Sequence, residues 1–385
     1  MVIRRSILYH AGFALRQYRA LCVTGPRQSG KTTLARQLFP GRPYLNFEHP
    51  ATQAAFDSDP EKFLAQYKGG AIFDEAQRVP DLFRYLQLIL DKSNRRGQFL
   101  LTGSNNFLLQ ENVSQSLAGR AGYLTLLPLS MEELQLAGAT KRHPAEHILR
   151  GGYPELWNQN VDVGTWMKSY TQTYVERDVR QVKNIANLSA FNRFIHLCAG
   201  YAGQLLNRDE LAKMTGVDNK TIQSWIGVLE SSYIVFLLQP WHKNLHKRTI
   251  KSPKLYFCDT GLLCSLLGLS STKAVQQSER YGALFENWVM AEIRKNLFNR
   301  GDYTGMYFLR DSSDNEIDLI LEKDGEPMAI EIKSSGNAYN QLPTGLHYWQ
   351  KVLPGKTGLL VHGGSAGTEL APTTHSLGWK SIGDI

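Results

Sequence analysis

Residues 25–32, Gly-Pro-Arg-Gln-Ser-Gly-Lys-Thr, set two glycines, a lysine and a hydroxyl at a spacing that can hold a polyphosphate. Gly25 and Gly30 let backbone N–H groups approach phosphate oxygens where a Cβ would interfere. Lys31 is placed to reach the β- and γ-phosphates, and Thr32 to offer its hydroxyl to Mg²⁺. Pro26, Arg27, Gln28, Ser29 and Thr33 complete the cradle. The chemistry expected is binding of a nucleoside triphosphate. An acid pair, Asp74-Glu75, closes the apolar run Ala71-Ile72-Phe73; Asp74 is assigned to the metal and Glu75 to polarising the attacking water. A third group lies far downstream: Asp318 and Glu331-x-Lys333, with Glu286 ahead of them. Carboxylates on neighbouring strands can meet at one Mg²⁺ or Mn²⁺, and Lys333 can orient or activate metal-bound water for attack on a phosphodiester. An ordinary solvated hairpin would carry the same residue types.

These groups need a frame. Leu21–Val23 reads as a buried parallel strand feeding the loop, and Leu34 and Leu38 mark a helix whose positive end faces the same anion. Further strands are expected over Arg42–Glu48, which carries Asn46, and over Ala71–Glu75, Gln98–Thr102 and Tyr123–Leu129. Helices are expected over Thr52–Tyr67 and Pro80–Lys92. Ser104 or Asn105, just past the end of the strand Gln98–Thr102, is a candidate γ-phosphate contact, although both are also ordinary turn formers. Arg120 is a candidate arginine finger, within the chain or toward a neighbouring subunit; a lone turn arginine is more often simply solvated.

Residues 130–190 read as mostly helical, broken at Arg150–Pro154, with Trp166–Val182 forming a lid over the nucleotide. From Leu205 the pattern becomes a helix-turn-helix: Glu210–Met214, a turn at Thr215–Val217, then Asn219–Leu229. Lys220, Gln223 and Ser224 would face outward, able to reach base edges or phosphates. Strand-like runs Ile234–Leu238 and Lys254–Phe257 flank a basic hairpin like the wing of a winged helix, with Lys243, Lys247 and Arg248 as phosphate contacts. Such modules also serve as protein–protein joints. Residues 268–280 read as a linker. The last domain is expected as the helix Gly282–Leu297, the strands Met306–Arg310, Glu316–Leu321 and Met328–Ile332, the helix Leu342–Val352 and the strand Thr357–Val361. The tail beyond carries no readable signal.

With 385 residues, 42% hydrophobic and 20% charged, the chain is globular and long enough for several domains. No apolar run is long enough to span a bilayer and no signal-peptide core is present, so a cytoplasmic location without a membrane partner is expected. Four scattered cysteines read as small buried residues in a reducing compartment. A net charge of +8 makes DNA a sensible polyanionic partner. No acid precedes Glu48, and Arg4, Arg5, Arg16 and Arg19 give the N-terminus a transit-peptide look. Because the loop's strand begins near residue 20, this stretch is expected as a helix packed on the first domain.

Taken together, TGPRQSGKTTL (24–34), IFDEAQ (72–77), LLTGSN (100–105), LAGR (117–120), GGYPE (151–155), PKLYFCDTGL (253–262), FEN (285–287), EIDLI (316–320) and AIEIKS (329–334) give the chain a family likeness. It resembles the prokaryotic AAA-type ATPases that carry a C-terminal domain of unknown function with a restriction-endonuclease-like core. The resemblance implies an α/β fold: a P-loop ATPase core (1–135), a helical lid (136–190), a winged-helix module (191–267) and a restriction-endonuclease-like domain (281–385). It implies ATP at Gly25, Gly30, Lys31 and Thr32, Mg²⁺ and water at Asp74 and Glu75, and Asn46 as a polar switch residue near the catalytic Glu. Glu286, Asp318, Glu331 and Lys333 match the acid, acid and E-x-K positions of PD-(D/E)xK nucleases, with Glu316-Ile317 standing where that pattern has a proline. Two functional readings follow: an ATP-driven DNA-processing enzyme, or a nucleotide-gated regulator that cuts nothing.

Overall fold

The computed structural model describes residues 2–104, 109, 113, 115–158, 161–175, 187–241, 252–311, 313–336 and 342–385. The N-terminal part is a parallel sheet sandwiched between helices. Helix α1 (Ile7–Gln17) precedes β1 (Ala20–Thr24), and α2 (Lys31–Leu38) follows it. Then come β2 (Tyr44–Asn46), β3 (Ala71–Asp74), α3 (Asp81–Asp91), β4 (Phe99–Gly103) and β5 (Ala121–Thr125). The order is β2-β3-β4-β1-β5, with every pairing parallel. Alternation along β1 divides the core in two. Leu21 and Val23 join Ile7, Ala11 and Leu34 beneath α1 and α2, while Ala20 and Cys22 join Leu82, Leu86 and Leu90 beneath α3. The N-terminal stretch is thus the packed helix expected of it.

The single helix expected over 52–67 is two, Pro50–Ser58 and Pro60–Ala65, because Pro60 has no N–H to continue the first and the Asp59 carboxylate caps the second at Lys62 N–H. Strand β2 is shorter than the run read as extended.

Short helices at Met131–Leu136, Pro144–Arg150 and Glu155–Asn158 lead to α4 (Val163–Tyr170), which passes into a π-helical turn at Thr171–Val175. The rest of the expected lid helix, from 176 on, lies outside the described residues. After the helix Leu188–Gly200 come α5 (Arg208–Thr215) and α6 (Asn219–Ser231), capped by Asn207 and Asp218 and separated by Gly216 at φ 73°. Strands β6 (Val235–Pro240) and β7 (Lys254–Phe257) pair antiparallel, and α7 (Thr260–Leu266) follows.

The expected linker is not one. Thr272–Gln277 is a helix capped by Ser271, and Val275 is fully buried. It leads into α8 (Tyr281–Arg300), a 20-residue helix with apolar residues on all sides and a largely buried surface. Strands β8 (Gly305–Arg310), β9 (Glu316–Lys323) and β10 (Glu326–Lys333) form a meander, with Asp324 and Gly325 both at positive φ in the β9–β10 turn. Helix α9 (Thr344–Val352), β11 (Gly358–His362), β12 (Glu369–Ala371), β13 (Thr374–Gly378) and a 3₁₀ turn at Trp379–Asp384 complete the chain, so the unread tail supplies two strands.

The second sheet runs β12-β13-β11-β10-β9-β8-β6-β7. The β6–β7 hairpin thus extends the edge of the C-terminal sheet. Strand β6 continues alongside β8 through Gln239–Tyr307 and Pro240–Phe308. One hydrophobic core runs from Met131 through α4, α6 and α8 to Ile382, across both boundaries drawn from the sequence near 190 and 270.

Candidate functional site

The phosphate loop leaves the C-terminal end of β1 in the middle of its sheet, where an open α/β fold binds ligands. Gly25 has φ 147° and a Cβ there would lie 2.1 Å from Leu126 O, so only glycine fits. Gly30, at φ 95°, caps the N-terminus of α2. Lys31 is buried and donates to Gly25 O at 3.0 Å and Pro26 O at 2.9 Å. The loop is braced from behind by Arg5. Its guanidinium donates to Ser29 O and Leu127 O, each at 2.7 Å, and pairs with the fully buried Glu133 at 2.9 Å. Ser29 and Pro26 are buried within this cradle, Gln28 is exposed at φ 62°, and Thr33 points outward on α2.

Asp74 ends β3 beside the loop. It accepts from Thr32 Oγ1 at 2.9 Å and also from the Tyr44 and Thr102 hydroxyls. Thr32 and Asp74 are hard oxygen donors already in contact, the set that Mg²⁺ prefers. Glu75 follows in the left-handed region at φ 54°, a strained position for a non-glycine residue, and is buried. Its Oε2 accepts from Ser104 Oγ at 3.0 Å and from Gln77 Nε2. Ser104 is thus brought to the site through Glu75; Asn105 lies outside the described residues. Asn46 is opposite Asp74 in register, but its Oδ1 accepts from Glu48 N–H at 2.7 Å. The side chains that bond Glu75 are Gln77 and Ser104, while the bond shown for Asn46 goes to Glu48 N–H.

Arg120 is not brought to the loop of its own chain. It precedes β5, so it stands at the N-terminal edge of the sheet, and its guanidinium pairs with Asp91. A finger acting within the chain is excluded by that position. Arg120→Ala is accordingly expected to leave turnover in dilute protein within about twofold, as for surface substitutions generally. A large loss that grows with protein concentration would instead assign the arginine to a neighbouring subunit.

The stretch 151–155 closes the other side of the loop. Tyr153 OH donates to Tyr170 OH at 2.8 Å, and Tyr170 OH to Arg27 O at 3.4 Å. Gly152 N–H donates to the Asp259 carboxylate at 2.7 Å, tying this turn to the N-terminus of α7. From the helix-turn-helix side, the Tyr233 hydroxyl lies 2.7 Å from Thr24 Oγ1, one residue before the loop. On α6, Lys220 and Gln223 are exposed and Ser224 is partly buried. Lys243, Lys247 and Arg248 lie outside the described residues.

The C-terminal acids do assemble. Glu331 and Lys333 share one face of β10 and bond at 2.7 Å, and Asp318 on β9 accepts from Ile332 N–H at 2.8 Å. Glu286 on α8 accepts from Tyr256 OH at 2.6 Å. Sequence reasoning missed Lys254, which opens β7 and sits 3.7 Å from Glu286 and 2.5 Å from Glu316. Among the described residues no three His, Cys, Asp or Glu side chains form a ready metal cage. The expected meeting of Glu286, Asp318 and Glu331 at one ion is therefore not preformed, since ammonium groups stand among the acids. One oxygen does fit a cation: Glu331 Oε2 is buried without a hydrogen-bond partner.

Burial, followed by the Asp318 charge, pushes Glu286 and Glu331 each up to about 7 from an ordinary 4.5. The folded chain then holds more protons than the unfolded one between about 4.5 and 7, so this site's contribution to stability falls as pH rises through that window. Melting curves from pH 5 to 8 are expected to show the fall in wild type and a shallower one in Asp318→Asn. Equal slopes would contradict the coupling.

Residues 17–135 match the family described as AAA domain. Residues 141–273 and 281–380 match two domains of unknown function, DUF8612 and DUF4143. Uncharacterized proteins of Mycobacterium tuberculosis and Mycobacterium bovis are each 34% identical over 339 residues, covering 86% of this chain and 74% of the relative. One from Methanocaldococcus jannaschii is 23% identical over 331 residues, covering 78% and 71%. Among solved structures, the Walker-type ATPase of Pyrococcus abyssi is similar with a TM-score of 0.45 and 17% identity, over 69% of this chain and 96% of that one. No helix among the described residues is long and apolar enough to cross a membrane. At the identity and coverage of the mycobacterial match, the chain belongs to the same family as those proteins, with an AAA-type P-loop ATPase domain as its N-terminal part.

Proposed function

We propose that this chain is an ATP-hydrolysing enzyme that acts on DNA, with the helix-turn-helix and β6–β7 hairpin as a winged-helix contact and the C-terminal acids as a restriction-endonuclease-like site. In the ATPase part, backbone N–H groups of the loop bind the phosphates and Lys31 leaves its loop carbonyls to meet them. Mg²⁺ held by Thr32 and Asp74 would supply neutralisation of phosphate charge. Glu75, oriented by Ser104 and Gln77, polarises the attacking water.

The observation that carries the DNA reading is that one strand serves both parts: β7 is the return strand of the hairpin and delivers Lys254 to the acids. At the acids, Glu286, Asp318 and Glu331 are the proposed holders of Mg²⁺ or Mn²⁺, and Lys333 orients the water. The test is incubation of linear and circular DNA with the protein, with and without ATP and with Mg²⁺ or Mn²⁺, beside Asp318→Ala. Metal-dependent cutting lost in the variant supports the nuclease reading; cutting that persists in the variant refutes it. The paired ammonium groups of Lys254 and Lys333 favour a second reading, a nucleotide-gated regulator whose acid site binds without cutting. ATP turnover indifferent to DNA, with no cleavage under any condition, would select it.

A further inference from the structure

Lys254 has surroundings that the start of a β-strand does not require. Its side chain is 4% exposed, held by the backbone bridge between Leu205 and Lys254 and by the Phe308 ring 5.5 Å from Nζ. Its ammonium lies 2.5 Å from Glu316 and 3.7 Å from Glu286, while Arg310 approaches Glu316 from the far side at 3.5 Å. Across the site, Lys333 occupies Glu331 Oε1 and leaves Glu331 Oε2 buried and unpartnered. Four carboxylates (Glu286, Glu316, Asp318, Glu331) thus face three cationic side chains, Lys254, Lys333 and Arg310. Burying a carboxylate without a partner is costly, and an adjacent ammonium offsets part of that cost. Carboxylates spaced by an ammonium on a flexible four-carbon stem can exchange it for a hard divalent ion.

We infer that Lys254 is a tethered counter-ion of the C-terminal acid site, supplying the positive charge that a divalent cation would otherwise bring, and that metal entry displaces it. The inference rests on the metal-site reading proposed above. It makes Lys254 a gating residue, placed on the strand that returns from the hairpin, and not a ligand.

The experiment measures Mn²⁺ binding by loss of the free-ion electron paramagnetic resonance signal, without nucleotide, in wild type, Lys254→Met, Lys254→Arg and Asp318→Ala. Binding abolished by Asp318→Ala counts as this site. Lys254→Met is expected to bind there about tenfold tighter, within the usual range of coupling between competing ligands, and Lys254→Arg no tighter than wild type. Site-specific binding that Lys254→Met leaves unchanged or weakens overturns the inference alone. Absence of Asp318-dependent binding in every protein overturns the metal-site reading with it. A readout on the unaltered chain guards against a misfolded variant: acetylation of Lys254, followed by mass spectrometry, is expected to speed up severalfold when Mn²⁺ is added. An unchanged or slower rate refutes displacement.

Discussion

Glu75→Gln is expected to lower ATP turnover by about 10²- to 10⁴-fold while nucleotide binding persists, the range for loss of a positioned general base. The substitution removes a charge and little else. Both bonds to Glu75 arrive at Oε2, from Ser104 Oγ and Gln77 Nε2, and a glutamine carbonyl can accept both. Asp74 takes its bonds from Thr32, Tyr44 and Thr102, so the Thr32–Asp74 pair stands as before and the phosphates keep their cradle. Turnover and fluorescent-nucleotide binding, measured on the same preparation, check the claim. Ordinary turnover in the variant would remove Glu75 from the mechanism, and lost binding would mean that its role is structural.

Arg5→Ala is expected to cost about 3–5 kcal/mol of stability, the penalty for removing one partner of a buried ion pair. Glu133 is fully buried and, among the described residues, would keep the N–H groups of Ser6 and Ser130. Ser29 O and Leu127 O would lose their donors as well, so the loop itself loosens. A clear drop in melting temperature together with a raised KM for ATP is the expected signature. Arg5→Lys should recover charge but not the three-way fork, and so restore the variant in part. A loss below about 1 kcal/mol would place the pair among those of surface type.

Arg5 also shows where the sequence stops being legible. Its partners lie 24 to 128 residues away, and an arginine ahead of a helix looks like any surface charge. Tyr44 and Thr102 escape for the same reason, each reaching Asp74 from a neighbouring strand, and Lys254 meets Glu286 and Glu316 only through tertiary packing; none of these contacts leaves a local spacing. The phosphate loop, Asp74-Glu75 and the helix pair on either side of Gly216 are readable because their chemistry is written within a few residues. For Arg120, a turn between apolar runs does not say which end of the sheet it occupies, and so does not separate a role within the chain from one toward a neighbour. The helix at Thr272–Gln277 hid because Val275 is its one core anchor, too little for periodicity to register.

Helix α8 bears on how such a chain can change over generations. Its Asn287 exchanges two hydrogen bonds of 2.8 Å with the backbone of Phe257. Farther along, Glu292 accepts from Met131 N–H at 2.6 Å and Lys295 donates to Leu129 O at 3.1 Å. A gene fusion that moved residues 281–385 onto another ATPase would strip Asn287 of its Phe257 partner and leave Glu292 and Lys295 with each other but without the 129–131 backbone. Shuffling of whole segments is therefore the costly route for this architecture. Drift at the exposed face of α6 is the open one.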